Sequence, residues 1–326
     1  MLSRVADSIY WMGRYVERAE NVARFLDVNL TLMLDAPVVG PSQWQPLVNT
    51  TGDDADFARR YGEATEDNVI HFLTLDADNP NSIYSCLRAA RENARSVREI
   101  IPSEMWEQLN GGYLNVRAAA NGGPLRRPQD FCAAVKQASH LFTGLTEATM
   151  TRNEAWHFLQ LGRMLERADK TSRILDVKYY MLLRSVQDVG TPMDEIQWAA
   201  VLRSASAFEM YRQRHGRIAP DTIVQFLLLD AEFPRAIRFG LNRARESLHA
   251  ITGTPAGSFR HPPEKLLGQL CSDLAYTLVG EVIQRGLHEY LDDLQTRMNS
   301  VSDGIYETFF ALRTPVAGVA RERTAA

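Results

Sequence analysis

Lysine is nearly absent from this chain. Of 36 basic residues only four are lysines, Lys136, Lys170, Lys178 and Lys265, and 32 are arginines. A GC-rich genome would produce this bias. So would selection for planar guanidinium pairs, which lysine cannot replace. Cysteine is scarce too. Cys86, Cys132 and Cys271 are odd in number, widely spaced and without a C-x-x-C, which excludes a disulfide framework or a cysteine zinc site and suits three small buried hydrophobes. Long apolar runs are missing. Arg4, Asp7 and Arg14 interrupt the N-terminus, so it does not read as a signal peptide. No uncharged stretch approaches the roughly 18 residues that span a bilayer. Excess positive charge is missing as well. At a net −4 over 326 residues there is no global pull toward nucleic acid or an anionic membrane. A cytoplasmic, soluble protein that binds neither is expected, with homo-oligomerisation left open.

Proline is absent from 1–36, 129–191 and 264–314. Those stretches are rich in Leu, Ala, Arg, Glu and Met, and apolar residues recur every three or four positions with hardly any strict alternation. The reading is an all-α multi-helix bundle. Loops are expected at 35–43, 110–128 and 252–263, where Gly, Pro and Asn cluster, the last two as possible covers for a site. The tail from Thr314 is expected to be disordered.

The strongest signal is internal. GRYVERAENVARFLDV (13–28) and GRMLERADKTSRILDV (162–177) share nine of sixteen residues at an offset of 149. A second block, 44–92 against 198–246, matches at an offset of 154 and shares Trp44/Trp198, Gly62/Gly216, Asp67/Asp221, Phe72/Phe226, Asp76/Asp230, Pro80/Pro234 and the Arg-Glu pairs 91–92 and 245–246. A weaker echo joins 144–148 to 304–308. The offset changes in a loop, where insertions are tolerated. The expectation is one pseudo-symmetric domain over 1–313, duplicated as 1–148 and 149–313, with 314–326 as a tail.

Within the repeat the ionic residues persist while their neighbours change. The retained set is Arg14/Arg163, Glu17/Glu166, Arg18/Arg167, Glu20/Asp169, Arg24/Arg173 and Asp27/Asp176. On a helix, Met12, Val16, Ala19, Ala23 and Leu26 form an apolar seam. Gly13, Glu17, Glu20 and Arg24 run one position on, about 100° around. The stripe therefore borders the core. A glycine at its head suits the close approach of another helix or a ligand. Spacing suggests pairs Arg14–Glu17 and Arg163–Glu166 at i, i+3, and Glu20–Arg24 and Asp169–Arg173 at i, i+4.

Two readings follow. In one, the ion pairs lock two equivalent helices in register. In the other, they line a polar pocket for an amino-acid-like or carboxylate substrate. Glu17, Glu166, Glu20 and Asp169 would then move protons, and Arg14, Arg18, Arg24, Arg163, Arg167 and Arg173 would bind the substrate. Asp76, Asp230, Arg91 and Arg245 would form the opposite wall, unless the aspartates only cap turns before Pro80 and Pro234.

Other chemistry is thinly represented. Glu154-x-x-His157 and Glu246-x-x-His249 have the spacing of di-iron bundles, but neither motif is kept in the other half. No metal is expected. There is no G-x-x-x-x-G-K followed by Ser or Thr, no G-x-G-x-x-G and no G-x-S-x-G, so no nucleotide loop or nucleophile elbow. Tyr179, Tyr180 and Met181 could serve as a partner surface, with core packing as the default.

The segments SIYWMGRYVERAENVARFLDV, FLTLDADNPNSI and EAWHFLQLGRMLERADKTSRILDV together resemble the bacterial alpha-E domain family across nearly the whole chain. The resemblance implies an all-α fold and linkage to a separate circularly permuted ATP-grasp protein in an amide-bond-forming or peptide-modifying system. ATP and magnesium would belong to that ligase, and this chain would bind no cofactor itself. Its role would be to hold a small amino-acid or peptide substrate, or the ligase, at the Glu/Arg cluster. A stand-alone acid/base enzyme and a non-enzymatic scaffold are the alternatives. Residues carrying the family pattern are Arg14, Glu17, Arg18, Glu20, Arg163, Glu166, Arg167 and Asp169, the last a shorter acid than Glu20.

Overall fold

In the computed structural model, residues 1–35, 44–182 and 192–311 are described, and among them every regular element is helical. The first part of the chain gives α1 (Ser3–Asp35), α2 (Gln45–Thr51), α3 (Asp54–Tyr61), α4 (Glu66–Thr74), α5 (Ile83–Ser96), α6 (Ser103–Asn121) and α7 (Pro128–Thr149). The second gives α8 (Glu154–Leu182), α9 (Pro192–Ser204), α10 (Phe208–His215), α11 (Pro220–Val224), α12 (Ile237–Thr252), α13 (Pro262–Tyr276), α14 (Val279–Arg285) and α15 (Leu287–Ile305). Short π-helical segments, Gln225–Leu229 and Tyr306–Phe310, extend α11 and α15.

The proline-free, seam-bearing segments 1–36 and 154–182 become the two longest helices, and these pack against each other as the axis of the molecule. The seam residues Met12, Val16, Ala19, Ala23 and Leu26 are all buried, as the spacing requires. α5 and α7 flank α1, with α6 against both. α12 and α15 flank α8, with α13 against both. α2 crosses to lie on α8 and α9 lies on α1, so each part of the chain packs on the axial helix of the other. A single apolar cluster runs through all of it.

The axial helices meet at their glycines. A Cβ on Gly13 would stand 2.6 Å from the Leu159 carbonyl oxygen, and one on Gly162 only 2.2 Å from that of Tyr10. Each glycine thus faces the backbone of the opposite helix at the head of the ionic stripe, and this contact fixes the register of the two stripes.

One expected loop is largely helix. Residues 110–121 continue α6, and only 122–127 connect it to α7. The Gly111–Gly112 pair suggested a turn, but Leu109, Tyr113 and Val116 bury one face and Gly112 sits against Ala138 of α7. Tertiary packing here outweighs the helix penalty of two glycines. The loop at 253–261 is present between α12 and α13. Glu264 fastens it by accepting the Arg260 and His261 amides at 2.6 and 2.8 Å. Of the loop expected at 35–43, Asp35 ends α1, and residues 36–43, the tail from Thr314 and the side chains of Tyr179, Tyr180 and Met181 lie outside the described residues.

Candidate functional site

Because the axial helices cross at Gly13 and Gly162, the carboxylates one turn further on point at each other's arginines. Arg18 places Nε 2.6 Å from Glu166 Oε1 and Nη2 3.1 Å from Oε2, and Arg14 Nε adds a bond of 2.7 Å. In return Arg167 grips Glu17 through Nε and Nη2 at 2.8 and 2.7 Å. The two Glu-Arg dipeptides, 17–18 and 166–167, therefore exchange partners across the helix crossing. Glu17 is 1% exposed and Glu166 0%. The pairs expected within one helix, Arg14–Glu17 and Arg163–Glu166, are not formed. Arg163 instead bonds Glu147 and Gln160 at 3.1 and 2.7 Å. The i, i+4 pairs Glu20–Arg24 and Asp169–Arg173 are formed.

The remaining members of the cluster come from α7, from α15 and from the turns before α5 and α12. Ser139 Oγ and His140 Nε2 meet Glu20 at 2.9 and 3.2 Å. Lys136 pairs with Asp27 at 2.6 Å, and His288 of α15 pairs with Asp176 at 2.9 Å. Arg235, a buried residue, bonds Glu20 and reaches Glu17 at 3.5 Å and Asn21 at 3.1 Å. Asn81 accepts from Arg18 at 2.7 Å and donates to Asp53.

Arg235 and Asn81 occupy matching positions at the 154 offset, and Asn21 and Lys170 match at 149. Around Glu17 and Glu20 the extra cation comes from the turn (Arg235) and the axial helix supplies Asn21. Around Glu166 and Asp169 the turn supplies Asn81 and the axial helix the cation: Lys170 lies 3.1 Å from Asp169 and 3.6 Å from Glu166. At these two pairs of matching positions each acid pair has one cation, on the turn in one case and on the axial helix in the other. Arg235→Asn is expected to cost about 3 kcal/mol, because it strips a cation from a buried acid cluster. Asn21→Lys in the same chain should restore part of that loss. Denaturant unfolding of the two single variants and the double variant measures the coupling, and additive losses would mean that the two cation positions are not interchangeable.

The electrostatics follow from burial opposed by pairing. Desolvation pushes the Glu166 carboxyl up, but Arg18, Arg14 and Lys170 overcome it and hold it well below its ordinary 4.5. Glu20 is likewise held well below by Arg235, His140 and Arg24. Glu17 and Asp169 are lowered, by Arg167 and by Lys170 with Arg173 respectively. Arg235 shows the converse: burial pulls its guanidinium down to about 10 despite Glu20. All four candidate acids are thus buried, paired anions, a state that opposes proton uptake at neutral pH.

The proposed opposite wall does not assemble. Asp76 binds Arg60 and Tyr61 at 2.8 and 2.9 Å and caps the Asp78 amide, tying α3 to the turn before α5. Asp230 does the same with Arg214 and the amides of Glu232 and Phe233. Arg91 bonds Asn110 and lies over the Trp106 and Tyr113 rings, away from the axis. Arg245 is half-buried near Cys271. The side chains that do face the stripe are Asn81 and Arg235. Their signal in the sequence was a matched position with unlike residues, the opposite of the persistence used to find the stripe.

Two further features bear on chemistry. Matching positions Gly52 and Ser206 both have positive φ, +78° and +49°, and each lies beside the matching arginine, Arg173 and Arg24. Ser206 is in a conformation costly for a side chain, and its hydroxyl contacts Arg24. The three cysteines are free and buried, and burial pushes the thiols up to about 12, 12 and 11, so none is primed as a nucleophile. Glu154 accepts from the Met1 amino group and Glu246 from Arg243. Among the described residues no group of three or more His, Cys, Asp or Glu side chains could hold a metal. No single helix among them is long and apolar enough to cross a membrane.

The Alpha-E family, described as a predicted alpha-helical domain with a conserved ER motif, matches residues 1–310. This chain belongs to that family. Relatives include an uncharacterised protein of Mycobacterium bovis and two of Mycobacterium tuberculosis. Each is 24% identical over 336 residues, covering 95% of this chain. The chain spans 37% of the length of each. No solved structure matches it.

Proposed function

From its membership of the Alpha-E family, we propose that the chain is a helical accessory component of an ATP-grasp-linked system that forms amide bonds or modifies peptides, and that the glutamates of its Glu/Arg cluster are architecture rather than acid/base groups. One observation carries the second half: the exchanged Glu-Arg dipeptides leave Glu17 and Glu166 with no accessible face and no proton to move. A buried network of this kind contributes little net stability yet specifies one helix register. The matched ionic set, the matched element lengths of α3 with α10 and of α4 with α11 and its π-helical extension, and the reciprocal packing of α2 and α9 support a duplicated unit whose halves are locked by that network.

The ligase link rests on the sequence resemblance. The activation of a carboxylate by ATP would occur in the separate ATP-grasp chain, while this one presents a substrate or docks the ligase on an outer surface. Relatives nearly three times as long fit a domain that works beside others. The test is reconstitution with a circularly permuted ATP-grasp protein from the same genome. A co-eluting complex, or a product formed faster or only when both are present, is the expected result. Neither a complex nor any change in product would refute the link.

A further inference from the structure

Arg14, an arginine of the exchange, also borders an open cavity. It spends Nε on Glu166 and Nη1 on Tyr10 Oη and Ser302 Oγ, at 3.2 and 3.3 Å. Nη2 has no partner among the described residues, although Arg14 is only 9% exposed. The cavity beside it has a volume of about 380 Å³ and lies between α1 and the end of α15 with its π-helical extension. Tyr10, Trp11, Tyr306 and Phe310 line it, and Asn299, Ser302 and Asp303 sit along the α15 side. Trp11 lies under the Arg14 guanidinium, 5.1 Å from it, which holds the group in place by cation–π attraction.

Cations outnumber the acids that Arg14 and its neighbours serve, as they do around Glu17 and Glu20. Glu166 and Asp169 supply two carboxylates, whereas Arg14, Arg18, Lys170 and Arg173 supply four cations in contact with them. The π-helical turn at 306–310 is what sets Tyr306 and Phe310 on the cavity, and such turns are frequent where side chains are aimed at a ligand. A concave aromatic site with one fixed, half-spent cation is the common form of a small-molecule pocket.

We propose that this cavity binds a small carboxylate with an aromatic or apolar body, its carboxylate taken by Arg14 Nη2 and its body enclosed by Tyr10, Trp11, Tyr306 and Phe310. The exposed Asp303 on the rim disfavours a multiply charged anion such as phosphate and leaves a single carboxylate as the matching group. The inference does not depend on the ligase link. It concerns this chain alone, so the two can fail separately.

The test is titration of the full chain with 3-phenylpropionate, its methyl ester and phenethylamine, followed by tryptophan fluorescence and by aromatic chemical shifts. Saturable binding of the acid is expected below about 10 mM, a range suited to a fragment of this size. The ester and the amine should show no saturable response at the same concentrations. Arg14 itself belongs to the buried network, so the variants sit on the outer wall. Tyr306, 56% exposed, carries little of the core. Tyr306→Ser should weaken the acid about tenfold with an unchanged melting temperature, and Tyr306→Phe should bind like the original. The proposal is overturned if the acid gives no saturable response, if the ester or amine binds as well as the acid, or if Tyr306→Ser leaves the affinity unchanged.

Discussion

Gly162→Ala is expected to destabilise the protein by about 3 kcal/mol or more, from overpacking at a point where no side chain can move aside. Helix propensity predicts the reverse, since alanine is favoured over glycine by roughly 0.5–1 kcal/mol in a helix interior. The geometry decides the sign. The added Cβ would meet the Tyr10 carbonyl oxygen at 2.2 Å and its carbon at 3.1 Å, both backbone atoms of α1. Relief requires the axial helices to separate, and separation lengthens every exchanged Glu–Arg bond. Gly13→Ala, meeting the Leu159 oxygen at 2.6 Å, should behave similarly. Gly111 and Gly144 are helical glycines with open space at the Cβ position. Alanine there should stabilise by roughly 0.5–1 kcal/mol. Thermal unfolding of the four variants separates the effects, and a Gly162→Ala protein melting with the Gly111→Ala control would refute the crossing.

Glu166→Gln is expected to cost about 3–5 kcal/mol at neutral pH, because Arg14, Arg18 and Lys170 are left buried without their common anion. The acid's pKa in the folded chain lies below its ordinary 4.5. Its stabilising contribution is therefore fully present above about 4.5 and is lost as the pH falls through the depressed folded value. The original protein should lose stability steeply in that acidic window, and Glu166→Gln should show a shallower loss from a lower starting point. Glu17→Gln should follow the same course, since its carboxyl is lowered too. Equal unfolding midpoints for original and variant at pH 7 would mean that the carboxylate is not part of the architecture. Folding unharmed with partner-dependent activity abolished would restore the reading of the cluster as a substrate site.

How much of this was legible beforehand differs residue by residue. Gly13 and Gly162, placed at the head of a border stripe, already implied a close approach. The persistence of Arg18 and Arg167 beside Glu17 and Glu166 already implied pairing. Which acid each arginine meets was not legible, because helical spacing relates only residues within a turn or so of one another. It therefore suggested Arg14–Glu17, while the crossing delivers Arg14 to Glu166. Asp76 and Asp230 misled for a related reason. Both persist, but each serves its own turn with Arg60 or Arg214. Arg235 was missed because a search for charges kept at matching positions cannot find one whose match, Asn81, is neutral.

The sequence by itself determined the helical class, the two axial segments, the buried seam and the set of ions that would stand beside it, because these depend on periodicity along one helix. Only the tertiary structure decided that residues 110–121 are helix, that the Glu-Arg dipeptides exchange partners, that Arg235 and Asn81 face them, and that Arg14 borders a cavity. Each of these depends on how close two backbones come and at what register. Contact between residues some 150 positions apart is fixed by the glycine crossing of α1 and α8, not by spacing along the chain.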